Sequence, residues 1–289
     1  MKERVTLLVI FSLLCFGCHR EKKGTELNNL VRWHEVTVED HFSPEEYSNR
    51  EFGDTYETKL DLLEPNIPEK KYKPLEEGVR GFVRERYDWL MQSLESRGAD
   101  VPLDTLANRL AQQRRQEFFE DYNDSKMGTL TFILTNQLSA KDSIAYNQDG
   151  LLSMILFYTS YTGGAHGMYG NQAKSYDLEL QQTITPEVLL DLSRSEEILG
   201  LIRDKILAMD KQQDTDSDYP LYGDLVNFDE VTITDNLYLS DEGVTLIYNV
   251  YEIGPYAMGE VFVTLSYDEL RPYLLAPYDQ LTSDHAVLP

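Results

Sequence analysis

A chain of 289 residues with a formal net charge of -24 and 42% hydrophobic residues is long enough to bury a sizeable core, and its acidity excludes the clustered Lys and Arg that nucleic-acid phosphates require. That charge suits long-range attraction of basic proteins or cations, and equally a surface that is merely soluble. Both cysteines, Cys15 and Cys18, lie near the N-terminus, which excludes a disulfide framework from the remainder and leaves stability to the core.

In chain order, the charges at Lys2 and Arg4, the apolar run Val5 to Phe16 and then Gly17-Cys18 have the layout of an export signal over residues 1–17. The run falls short of the roughly 20 apolar residues of a membrane span. Gly17-Cys18 also resembles a lipobox, which implies lipid on Cys18 as the membrane attachment, at the cell membrane or outer membrane and facing the periplasm or exterior. Cys15 stands where an aliphatic residue is usual, so free secretion is the alternative.

Residues 18–30 are polar and read as a tether, and the fold is expected from Val31. Trp33 to Phe42 alternates as a strand, while Ser43 to Lys73, broken by Pro44, Pro65 and Pro68, reads as loop with room for one more strand. Leu75, Val79, Phe82, Val83, Tyr87, Leu90 and Leu94 have helical spacing, with Gly98 placed as a C-cap. A second helix from Pro102 carries Leu103, Leu106, Leu110, Phe118 and Tyr122 on one face. Leu130 to Leu138 and Leu151 to Tyr161 read as buried strands joined by a turn over Asp142 to Gly150, and Lys174 to Leu180 as the next strand after a connection at 162–168.

Thr185-Pro186 opens a short helix, and Ser193 to Glu196 reads as a capping box for a helix to Met209 whose Ile198, Ile202 and Ile206 face the core. Asp210 to Asp218 is an acidic loop. Leu237 to Leu239 and Val244 to Tyr251 form a hairpin, Gly254-Pro255 turns the chain, Glu260 to Tyr267 returns as a strand, and Tyr267 to Leu275 closes as a short helix. The expected fold is therefore α+β, with mixed or antiparallel sheets and packed helices in two subdomains, residues 31–148 and 149–279, followed by a tail at 280–289.

The segments Tyr158-Thr-Ser-Tyr161-Thr-Gly163-Gly164-Ala165-His166-Gly167, Asn227-Phe228, Tyr251-Glu252-Ile253-Gly254-Pro255-Tyr256-Ala257-Met258-Gly259 and Ser266 to Leu270 resemble one family. It comprises the extracytoplasmic domain of the lysozyme-sensing anti-sigma factor RsiV and the accessory N-terminal domain of the peptidoglycan deacetylase PdaC, both catalogued as domains of unknown function. The resemblance runs from about Val31 to Ala276 and is most specific in the second half. It implies a display module without the deacetylase's paired aspartates and His-x-x-x-His ligands, which have no counterpart here.

His166 sits among Gly163, Gly164 and Gly167, glycines that let a partner approach closely or that simply make a tight connection pinned by the imidazole. Tyr161, Tyr251 and Tyr256, with Pro255, offer flat faces with polar tips for a sugar ring or protein, or else pack in the core. The five histidines, His19, His34, His41, His166 and His285, have no zinc spacing, and Asp214, Asp216 and Asp218 lack the frame of a calcium loop, so no metal or cofactor is expected. The residues thus suggest a non-catalytic envelope lipoprotein that binds a basic protein such as lysozyme, or peptidoglycan or another envelope glycan. The alternatives are a hydrolase using His166 and a purely structural lipoprotein.

Overall fold

The computed structural model describes residues 24–43, 54–95, 101–126, 134–209 and 222–282. Helix α1 (24–30) is followed by β1 (Arg32–Phe42), β2 (Thr55–Asn66), α2 (Lys73–Glu85) and α3 (Leu103–Lys126). Then β3 (Thr135–Gln148), β4 (Leu151–Tyr161), β5 (Met168–Asp177) and β6 (Gln182–Ile184) complete a six-stranded sheet in the order β1-β2-β3-β4-β5-β6. The second half adds α4 (Pro186–Leu189), α5 (Ser195–Met209), α6 (Tyr222–Leu225), the three-stranded sheet β7 (Leu237–Leu239), β8 (Val244–Tyr248) and β9 (Val261–Leu265), and α7 (Tyr267–Leu270). The fold is α+β as the sequence suggests. The larger sheet is mixed, since β2 and β3 are parallel and its other neighbours antiparallel.

That parallel pair follows from the helices between its strands, because parallel neighbours need a crossover connection. The apolar stripes of α2 (Leu75, Val79, Phe82) and α3 (Leu103, Leu106, Leu110) join Leu60, Leu62, Leu152, Met154 and Leu156 in a first core. A second core gathers Ile198, Ile202 and Ile206 of α5 with Leu237, Leu239, Val261, Val263 and Leu265 of the small sheet. Two buried serines join the layers. Ser153 Oγ donates to the carbonyl of Leu239 at 2.7 Å, and the Leu239 N–H donates to Ser175 Oγ at 2.9 Å.

Several elements differ from the sequence reading. Residues 24–30, expected in the tether, are helical; Asn28 donates to Asn147 Oδ1 (2.6 Å) and to the Leu151 carbonyl (2.8 Å), and accepts the Gly150 N–H (2.7 Å). The one strand that 43–73 leaves room for is the twelve-residue β2, whose Tyr56, Thr58, Leu60 and Leu62 are all buried by strict alternation. Pro65 is tolerated one residue from the strand's end. Helix α2 stops at Glu85 instead of Leu94, since successive residues Arg86 and Tyr87 both converge on Asp142, and a continuing helix would splay them by about 100°.

The turn expected over Asp142 to Gly150 shrinks to Asp149-Gly150, with φ of 55° and 80°, the left-handed pair of a two-residue hairpin. β3 therefore runs on to Gln148, with its register shifting between Ile144 and Tyr146. β5 spans Met168 to Asp177 rather than 174–180, because Asp177 Oδ1 accepts the N–H groups of Glu179 and Leu180 and bends the chain toward β6. Asp191 instead of Ser193 caps the approach to α5, accepting the Ser193 N–H. The short helix expected over Tyr267 to Leu275 ends at Leu270, with the capping box at Ser266 and Glu269. Cys18, Gly98, residues 130–133 and the acidic loop at 210–218 lie outside the described residues.

Candidate functional site

The connection from β4 to β5 is glycine-shaped. Gly163 and Gly164 take φ of 95° and 98°, and a Cβ on Gly167 would lie 2.9 Å from the Ser160 carbonyl oxygen. Tyr161 closes the loop by donating its hydroxyl to the Gly164 carbonyl at 2.8 Å. This fixes where His166 stands.

The second segment comes from the small sheet. β8 ends at Tyr248, so Tyr251 leaves the strand and enters a turn at φ 72°, a conformation that costs a tyrosine about 1–3 kcal/mol. Glu252 holds that turn, its carboxylate accepting the Asn249 N–H at 2.9 Å. Tyr251 is left 53% exposed. Pro255 then opens a single 3-10 turn, Tyr256–Met258, which presents Tyr256 toward the first loop.

The two segments meet as an aromatic cluster. The His166 imidazole stacks on the Tyr256 ring at 3.8 Å and 18°, and Tyr251 lies 5.6 Å from Tyr256. His166 Nδ1 is 2.9 Å from the Gly167 carbonyl, which can only accept, so Nδ1 carries the proton and, in the neutral ring, Nε2 accepts the Tyr251 hydroxyl at 3.2 Å. Neither partner is a carboxylate. Tyr169, which the sequence reading missed, meets Tyr256 edge-on at 5.7 Å and 76°. Tyr161, Gly163, Gly164 and Gly167 shape the loop, while His166, Tyr251 and Tyr256 form the face.

Asparagines hold this face to the open edge of β5. Asn236 behaves like a strand neighbour, with its Oδ1 accepting the Ala173 N–H at 2.7 Å and its Nδ2 donating to the carbonyls of Asn171 (3.0 Å) and Ile247 (3.2 Å). Asn249 Oδ1 accepts the Asn171 N–H at 2.7 Å. A Cβ on Gly170 would come within 2.8 Å of that oxygen, so this strand glycine is the trace in the sequence of the close approach.

Asn171 Nδ2 donates to Glu260 Oε1 at 2.9 Å. Burial raises the Glu260 carboxyl above its ordinary range and Glu252 adds repulsion, against the hydrogen bonds from Asn171. A carboxyl with a raised folded pKa has no penalty below its unfolded pKa, loses stability as pH rises from there to the folded value, and carries the full penalty above it. Glu260→Gln, which keeps the acceptor, is therefore expected to raise stability at pH 7 by less than about 1 kcal/mol and to change nothing near pH 3. Urea titrations at the two pH values check this, and a gain at both would refute it.

Among the described residues, no group of three or more His, Cys, Asp or Glu could hold a metal ion, and no helix is long and apolar enough to cross a membrane.

Comparison with known proteins places the two halves of the cluster in different matched segments. Residues 53–169 match the family described as "Deacetylase PdaC", and residues 189–268 match "Protein of unknown function (DUF3298)". A crystal structure of a DUF3298 family member from Bacteroides fragilis aligns over 85% of this chain and 94% of its own, at 19% identity and a TM-score of 0.65. One from Pseudomonas aeruginosa aligns over 86% and 97%, at 18% identity and a TM-score of 0.56. At such identities the likeness is one of fold. No curated protein matches the chain. His166 and Tyr169 belong to the first matched segment and Tyr251 and Tyr256 to the second, so the aromatic cluster draws its rings from both matched segments.

Proposed function

We propose that this chain is a non-catalytic binding module of the cell envelope, exported and held to a membrane by lipid on Cys18, whose contact face is the cluster of His166, Tyr251 and Tyr256. The carrying observation is the exposed Tyr251, kept in a costly left-handed conformation beside the His166–Tyr256 stack. Strain at an exposed aromatic favours a role in contact over one in packing. The hydrogen bonds of His166 run to a phenol and a carbonyl, an arrangement that orients the ring and favours binding over acid–base catalysis.

A basic protein such as lysozyme is the ligand that the net charge of -24 favours, and the tyrosine faces favour an envelope glycan as the second reading. Surface capture on immobilised lysozyme, at about 20 mM and about 150 mM salt, separates the two, because attraction between exposed charges weakens with ionic strength. Capture should weaken with salt, and Tyr256→Ala with His166→Ala should reduce it by about tenfold or more. Absence of capture at either salt would remove the lysozyme reading. Retention by soluble peptidoglycan fragments, lost in the same variant, would then support the glycan.

A further inference from the structure

Beside the aromatic cluster, between the chain just past α2 and the open edge of β5, lies a groove of about 380 Å3. One wall is Glu85, Asp88 and Trp89, the other is Asp235, Asn249 and Glu252, and the floor is β5 at 172–174. Glu252 neighbours Tyr251 in sequence, so the groove and the aromatic face share one turn.

Its lining carries four carboxylates against one ammonium, and that ammonium, Lys174 Nζ, is already paired with Glu85 at 2.6 Å. Asp88, Asp235 and Glu252 are all exposed along the walls. The Tyr158 phenol behind Trp89 registers the field of this region: burial raises it first, and the charges of Glu252 and Glu260 raise it further. Trp89 supplies a flat wall, its ring 4.4 Å from that of Tyr158. Among the described residues, no acceptor meets the buried indole Nε1–H. The carboxylates are spread along the groove and do not converge as metal ligands, among the described residues.

A dispersed set of carboxylates beside an aromatic wall suits an organic cation attached to a peptide. We infer that the groove receives a lysine or arginine side chain of a basic polypeptide, held between the Trp89 indole and the Asp235 and Glu252 carboxylates. This rests on the basic-protein reading of the module and assigns its charged contact to a particular place.

The test is a titration of the 15N-labelled full chain, in non-ionic detergent, with acetyl-hexaarginine amide. The two indole N–H resonances, of Trp33 and Trp89, are assigned through Trp89→Phe. The Trp89 resonance should move saturably while Trp33 stays, and Asp235→Asn with Glu252→Gln should raise Kd about tenfold. Glu117→Gln with Glu120→Gln, an equal loss of charge on α3, should change it by less than about twofold. A stationary Trp89 resonance, or equal weakening by the α3 variant, would overturn the inference. Tyr256→Ala with His166→Ala separates the two readings: it should reduce lysozyme capture by about tenfold or more yet leave the peptide titration intact, so either can fail without the other.

Discussion

Asp142→Ala is expected to lower stability by about 3–5 kcal/mol, the cost of leaving a buried cation without its partner. Asp142 and Arg86 have fully buried side chains, joined by two parallel bonds of 2.7 and 2.8 Å. Tyr87 also donates its hydroxyl to Asp142 and accepts the Leu63 N–H at 3.2 Å. Burial works against the Arg86 charge, but attraction to Asp142 outweighs it and raises the guanidinium above its ordinary range. Burial also lifts the Tyr87 phenol, with the Asp142 charge adding to the effect, so the hydroxyl stays a donor throughout the physiological range.

Such a pair is costly to break and far less costly to replace. Arg86→Met combined with Asp142→Leu should therefore recover most of the loss, leaving the double variant within about 2 kcal/mol of the parent. Urea unfolding of the three variants checks this. A loss below about 1 kcal/mol in Asp142→Ala would mean that water reaches the site, contrary to its burial.

Asn236→Ala should cost about 2–4 kcal/mol, because three backbone groups, the N–H of Ala173 and the carbonyls of Asn171 and Ile247, lose their partner together. Asn236→Asp should be no milder. Its carboxylate still accepts from Ala173 but is turned against two carbonyl oxygens where the amide donated. Asn249→Ala removes one bond to β5 and should cost less. Thermal unfolding ranks the variants, and equal melting temperatures for Asn236→Asp and the parent would count against the strand-neighbour role. Amide exchange at Ala173 gives an independent readout and should accelerate in Asn236→Ala.

The elements that were legible in the sequence are those whose partners are local. The stripes of α2, α3 and α5 repeat at helical spacing, and the glycines of the His166 loop mark their own backbone angles. β2 was legible only as room for one strand, its bounds obscured by the surrounding prolines, although Tyr56, Thr58, Leu60 and Leu62 alternate strictly. The second half of β3 was obscured by polarity, since Lys141 and Ser143 face solvent and Asp142 is neutralised by Arg86, 56 residues earlier in the chain. In the site, His166, Tyr251 and Tyr256 stood out in recurring segments. Tyr169 and Asn249 did not, because an alternating strand tyrosine and a turn asparagine gain their meaning from contacts 78 to 87 residues away in sequence.

The clamp of α1 on the β3–β4 turn sets a direction for the molecule. Asn28 grips Gly150 and Leu151 at the start of β4, and the covalent path from Cys18 to Gly24 can span at most roughly 20 Å. β4 then runs for 11 residues, roughly 33 Å, before it reaches the His166 loop. With lipid on Cys18, the hairpin turn would be moored against the bilayer and the strand would act as a mast. The aromatic cluster would stand at the masthead, clear of the headgroups and facing whatever approaches from outside.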